Sequence, residues 1–185
     1  MAQCTETEVQ QMLPLVSAQR REQALRYKHT FGRFCCLKSW LMLEAIMQTY
    51  NVQLSTFNYN EHGKPYIEGG PYFSISHCKE GIAVAVDEKP VGIDIESIRK
   101  ADKDLIERVM YAREQSMIAN AADPDREFTR LWTQKEAIVK WRGTGIESFE
   151  QLQLLLLPSF DRDVTKPRII QTYEQEKYIY SIAYE

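Results

Sequence analysis

Residues 91–96 alternate in a period of two, with Val91, Ile93 and Ile95 on one side and Gly92, Asp94 and Glu96 on the other. That is the period of a β-strand with one face buried. Short strands are also predicted at 73–76, leading into His77, and at 81–87, with Glu88-Lys89-Pro90 as the turn into the acidic strand. Near the end of the chain 169–173 and 152–157 are apolar segments, and 178–184 alternates clearly. Residues 61–65 form a turn on composition. Helical spacing runs through Phe34, Leu37, Leu41 and Ala45, and a shorter helix through Arg20, Arg21, Ala24 and Leu25 takes Ser17 as its N-cap. After Glu96 the chain is helical in tendency through Glu107, Met110 and Met117, and 120–125 reads as a loop.

The strongest helical pattern covers 127–142. At about 100° per residue, Phe128, Leu131, Trp132, Ile138 and Val139 form one apolar stripe. Lys135 falls in the middle of that stripe, while Glu136 and Lys140 lie on its edge, one turn apart. Gly143 and Gly145 suit the helix end. Strand–helix–strand material therefore lies on both sides of Pro90, without a residue-level repeat.

The chain has 185 residues, 44% of them hydrophobic, enough for one substantial core or two small lobes. A net charge of −3 argues against a general nucleic-acid binder. No run reaches the roughly 20 apolar residues of a membrane span, and the start lacks the pattern of a secretion signal. Cys4, Cys35, Cys36 and Cys78 form no CxxC pair, which suits a reducing cytosol. The expectation is a soluble cytoplasmic protein.

Candidate chemistry centres on the acidic strand. Asp94 and Glu96 share a face, roughly 6.6 Å apart along the backbone, and like charges that close call for a cation or a raised pKa. A magnesium ion held by carboxylates and substrate phosphates is one answer; an edge strand with a solvated acidic face accounts for the same residues. Gly92 marks the close approach of a ligand or another backbone. Between Arg20 and Lys38 six basic residues face one acid, Glu22: either a solvated face or an anion site. A Glu136–Lys140 pair is by itself an ordinary surface pair. Lys135 on a buried stripe needs a partner, and a nearby carboxylate cluster would supply one. Trp132 is expected to pack in the core, and Cys78 points away from His77, so a His–Cys nucleophile is not expected.

Four blocks now stand in order: Gly63-Lys64-Pro65-Tyr66, Phe73-Ser74-Ile75-Ser76-His77, Val91-Gly92-Ile93-Asp94-Ile95-Glu96, and the run from Trp132 to Lys140. They resemble the GKP, F(N/S)ISH, (V/I)G(I/V)D(I/V)E and W(S/T)xKEAxxK patterns of Sfp-type 4′-phosphopantetheinyl transferases. Gly143-Thr144-Gly145-Ile146 is similar to the G-x-G-(L/I) that follows. The resemblance implies an α+β fold, a pseudo-dimer of two similar α/β lobes (1–89 and 90–185) with the active site in the cleft between them. It implies transfer of the 4′-phosphopantetheine arm of coenzyme A to a serine of an apo acyl or peptidyl carrier protein, releasing adenosine 3′,5′-bisphosphate. Magnesium, with manganese as a substitute, would be held by Asp94, Glu96 and Glu136. Glu136 would be the general base, with Asp94 and Lys140 completing the catalytic set. Coenzyme A would meet Arg20 (or Arg21, one residue on), Lys64, Ser76, His77 and Lys140. Lys135 is expected to pair with the carboxylate cluster.

Where this chain carries Cys35-Cys36-Leu37-Lys38, many relatives carry arginine and leucine, so adenine and 3′-phosphate contacts there differ. Lys103, Arg108 and Arg113 are candidates for contact with an acidic carrier. A fused two-lobe chain is expected to act as a monomer, with neither nucleic acid nor membrane as partner. Two other readings compete with transfer: a catalytically silent module that binds coenzyme A or a carrier, and a thiol enzyme using Cys78.

Overall fold

A computed structural model describes residues 4–54, 57–156, 167 and 169–185. The first half of the chain holds helices α1 (Glu6–Met12), α2 (Ala18–Leu25) and α3 (Thr30–Thr49), with a short 3-10 turn after α1. Two antiparallel pairs follow, β1 (Asn58–Tyr59) with β2 (Pro65–Tyr66), and β3 (Tyr72–His77) with β4 (Ile82–Asp87). Beyond the turn at Pro90 come β5 (Val91–Ser97), α4 (Lys103–Val109), α5 (Ala112–Ala119), α6 (Pro124–Arg142) and α7 (Phe149–Leu154). Strands β6 (Ile169–Glu174) and β7 (Tyr178–Tyr184) close the chain, giving an antiparallel sheet in the order β5-β7-β6. The helical tendency after Glu96 resolves into two short helices, and Leu157, the end of one apolar segment, lies outside the described residues.

Local signals explain the boundaries. Ser17 caps α2 by accepting the Arg20 amide, as its position predicts. Helix α6 begins three residues before the predicted start at 127, because Asp123 caps the Arg126 amide and Pro124 presets the first turn. It ends at Gly143, whose φ of 75° gives the left-handed closure that favours glycine.

Two groups of buried side chains form. One, drawn from residues before Pro90, gathers Val9, Leu37, Trp40, Leu43, Met47 and Phe73, with Ile75, Val84 and Val86 of the β3–β4 hairpin against α3. The other, drawn from later residues, gathers Val109, Ile118, Phe128, Leu131, Ile138 and Leu152.

The seam between them is built by β3 and β5. One edge of β5 pairs with β7; toward the other, the Ile93 and Ile95 amides donate to the hydroxyls of Ser74 (3.0 Å) and Ser76 (3.3 Å). Alternate residues on a strand repeat every ~6.6 Å, so two serines at i and i+2 meet two alternate amides in register. Side-chain hydroxyls thus replace a backbone ladder there.

Across the other side, α6 lies on β5 and β7. An added Cβ at Gly92 would sit 2.0 Å from the Ala137 carbonyl oxygen and 2.3 Å from the Trp141 amide nitrogen. Gly92 therefore admits another backbone, not a ligand. The solvated acidic face fails as well: β5 is the edge strand of its sheet, yet from Val91 to Ile95 every residue is buried, and Asp94 is 2% exposed.

Candidate active site

Asp94 is the floor of the site. Its Oδ1 accepts from Lys140 Nζ (2.6 Å) on α6 and from Ser76 Oγ (2.8 Å) on β3. Lys140 Nζ also donates to Ser76 Oγ (2.8 Å), closing a triangle across 64 residues of sequence. Ser76 thus accepts two hydrogen bonds and donates one, which fixes its rotamer. Asp94 Oδ2 is buried and has no hydrogen-bond partner. An orphaned carboxylate oxygen of this kind is costly unless something charged or polar meets it.

Glu96 and Glu136 are half-buried around this floor. Burial first, then the Asp94 charge, push the Glu136 carboxyl up to about 7, against the pull of Lys140. Burial and Asp94 likewise raise Glu96, although Arg99, Lys140 and a hydrogen bond from the Trp132 side chain oppose it. Lys140 and Arg99 against the three carboxylates leave an excess of negative charge, which favours proton uptake at Glu96 and Glu136.

Does that set fit a metal? Among the described residues no three His, Cys, Asp or Glu side chains converge closely enough to hold an ion as they stand. The donor chemistry nevertheless fits a hard divalent cation: all-oxygen ligands, an unpartnered buried oxygen on Asp94, and carboxyls that share a raised proton affinity.

Beside the triangle opens a pocket of about 320 Å³, lined by Lys64, Phe73, Ile75, Glu136, Lys140 and Ile146 among others. Apolar walls with the charged side chains of Lys64, Glu136 and Lys140 in the lining suit a ligand that is part apolar and part charged. His77, at the end of β3, is pushed below its ordinary pKa by desolvation and by Lys140.

Three of the expected residues make contacts within the protein that their spacing did not announce. Arg20 is 6% exposed and its donors are spent inside the protein. Nε and Nη2 bond the Cys36 carbonyl (3.1 and 2.7 Å), Nη1 bonds Gln23 Oε1 (2.6 Å), and the guanidinium sits 4.6 Å from the Trp40 ring centre. It braces α2 on α3. Arg21 is exposed and bonds the Leu13 carbonyl. Lys135 is buried as its stripe position requires, yet its partner is Glu114 of α5 (2.8 Å), with the Leu152 and Gln153 carbonyls at 2.8 and 3.1 Å. It knits α5, α6 and α7 together and does not meet the carboxylate cluster. Lys64 lines the pocket, but its ammonium turns to the carbonyls of Lys140 (2.5 Å) and Val91 (3.3 Å). Cys78 is buried, and burial raises its thiol pKa, which opposes a nucleophilic role.

Sequence reasoning passed over Ser74, Asn60 and the Trp132–Glu96 bond. The serine alternation at 74 and 76 was a readable signal for the first; Asn60 carried none beyond its turn composition.

Residues 90–183 match the 4′-phosphopantetheinyl transferase superfamily. The chain is 34% identical over 147 residues to a 4′-phosphopantetheinyl transferase of Bacillus subtilis, covering 75% of this chain and 65% of that protein. It is 31% identical over 183 residues to the 4′-phosphopantetheinyl transferase psf-1 of Bacillus pumilus, covering 90% and 77%. With the 4′-phosphopantetheinyl transferase AcpT of Salmonella typhi it shares 38% over 113 residues, 57% and 58% of the two chains. The chain belongs to the 4′-phosphopantetheinyl transferase superfamily.

Proposed function

We propose that the protein transfers the 4′-phosphopantetheine arm of coenzyme A to a serine of an apo acyl or peptidyl carrier protein, at the seam between two lobes, 1–89 and 90–185. The observation that carries this reading is the Asp94–Lys140–Ser76 triangle with Glu136 raised beside it, in a chain of this family. The reaction displaces at the β-phosphorus of a diphosphate, so negative charge builds on phosphoryl oxygens and catalysis is mostly positioning and electrostatics. Lys140, held in place by Asp94 and Ser76, supplies positive charge to the diphosphate, and His77 offers a hydrogen bond at the end of β3. Glu136, with a carboxyl near 7, is suited to take the proton of the carrier serine. Asp94 Oδ2, Glu96 and Glu136 would hold magnesium, or manganese in its place. When bound, that ion supplies Lewis-acid stabilisation of the diphosphate oxygens. All of these groups come from one chain, which supports a monomer, and free cysteines support a reducing cytoplasm. No helix among the described residues is long and apolar enough to cross a membrane.

Intact-mass analysis after incubation with coenzyme A, Mg²⁺ and a panel of apo carriers tests the reading. A carrier mass gain of one phosphopantetheine is expected. Coenzyme A binding with no gain on any carrier would favour the silent module. Asp94→Ala is expected to cost about 100-fold or more in turnover, since one such electrostatic contact is worth roughly 3 kcal/mol.

A further inference from the structure

The loop from Asn60 to Lys64 belongs to the first half of the chain but is bonded to the second. Asn60 Nδ2 donates to the Gly143 carbonyl just past α6 (2.7 Å). Its Oδ1 meanwhile accepts from the Lys64 amide (2.8 Å) and the His62 amide (3.1 Å), and Asn60 N bonds Lys64 O (2.9 Å). Gly63, at φ 82°, closes the turn. The loop is therefore held in one shape, and that shape aims Lys64 inward.

Lys64 Nζ then meets two carbonyls from different elements: Lys140 in the last turn of α6 and Val91 at the start of β5. The last carbonyls of a helix lack intrahelical partners, and a cation is the favoured cap there. These two elements carry Lys140 and Asp94, whose side chains meet at 2.6 Å. One ammonium from across the seam thus holds the backbones on both sides of the triangle. Burial lowers its pKa to about 8, the cost of keeping a cation at that spot.

We propose that Lys64 is a positioning residue for transfer: by pinning the main chain of Lys140 to that of Val91, it sets where the Lys140 ammonium sits against Asp94, Ser76 and the diphosphate. This rests on the reading that Lys140 serves the diphosphate. It differs from a direct phosphate contact, in which Lys64 would bind coenzyme A itself.

A double-mutant cycle of Lys64→Met and Lys140→Ala separates the two, read by kcat, by KM for each substrate and by the coenzyme A dissociation constant. A displacement near 1 Å costs up to about 100-fold in rate. Lys64→Met is therefore expected to lower kcat about 10- to 100-fold, with KM for the carrier unchanged. In the Lys140→Ala background the same change is expected to cost less than about twofold in kcat and in coenzyme A affinity. An equal loss in both backgrounds would overturn the proposal, as would a rise in KM for coenzyme A with kcat intact. Full turnover in Lys140→Ala alone would remove the underlying reading of Lys140, and the pin with it. Thermal melts accompany each variant. Should Lys64→Met not fold, Asn60→Ser, which loosens the loop and leaves Lys64 in place, takes its position in the cycle with the same criteria.

Discussion

Replacing Gly92 by alanine adds one methyl group at the point where β5 and α6 touch backbone to backbone. The new Cβ would lie 2.0 Å from Ala137 O and 2.3 Å from Trp141 N, whereas real Cβ atoms keep at least 3.0 Å. Neither obstacle is a side chain that can rotate away, so α6 itself must retreat by about 1 Å over the turn that ends at Lys140. Overpacking in a tight core costs about 1–3 kcal/mol, and the rigid obstacle places Gly92→Ala at the upper end. At about 2–4 °C per kcal/mol for a chain of this size, a loss of about 3 kcal/mol lowers the melting temperature by about 6–12 °C. Activity should suffer more than stability, because the same retreat stretches the 2.6 Å Lys140–Asp94 contact; about 100-fold in kcat/KM is expected for a 1 Å misplacement. Gly81→Ala is the control, since its Cβ would meet only the tip of Ile95 at 3.3 Å and should be nearly neutral. A Gly92→Ala protein that melts with the parent and keeps most of its turnover would refute the claim that this contact seats the helix.

Other expectations follow from the same geometry. Glu114→Gln and Lys135→Met should each lower stability by about 3–5 kcal/mol in urea melts, because each strands a buried charge or carbonyls, and the double variant should lose less than the sum. Arg20→Lys should destabilise by about 1–3 kcal/mol, yet leave the preference for coenzyme A over its 3′-dephospho form unchanged, because Arg20 faces Cys36 and Gln23. Glu136 is raised from 4.5 to about 7, so the folded protein binds its proton more tightly than the unfolded one. Its contribution is full below pH 4.5 and is lost as pH rises through 7, up to about 3 kcal/mol in the presence of chelator, shared with the coupled Glu96. Glu136→Gln should flatten that fall; an unchanged slope between pH 5 and 8 would count against the raised carboxyl.

Periodicity alone placed β5 and put Asp94 and Glu96 on one face, and the wheel of α6 placed Lys135 inside and Glu136 and Lys140 at its edge. The four motif blocks were enough to identify the family. Those signals are local: repeat and capping chemistry depend on residues a few positions apart. What a buried group meets is a different question, settled by elements far away in sequence. Only the packed chain shows that Lys135 faces Glu114, that Arg20 turns into α3, and that Gly92 makes room for a helix and not a ligand. It also shows serine hydroxyls standing in for a strand at the seam, and a loop lysine reaching across it to Lys140 and Val91. Lysine, arginine and glycine at these positions announce a demand for charge partners or for space. Which neighbour meets that demand is decided when helices and strands separated by dozens of residues pack together, because burial forces each polar group onto whatever partner lies within reach.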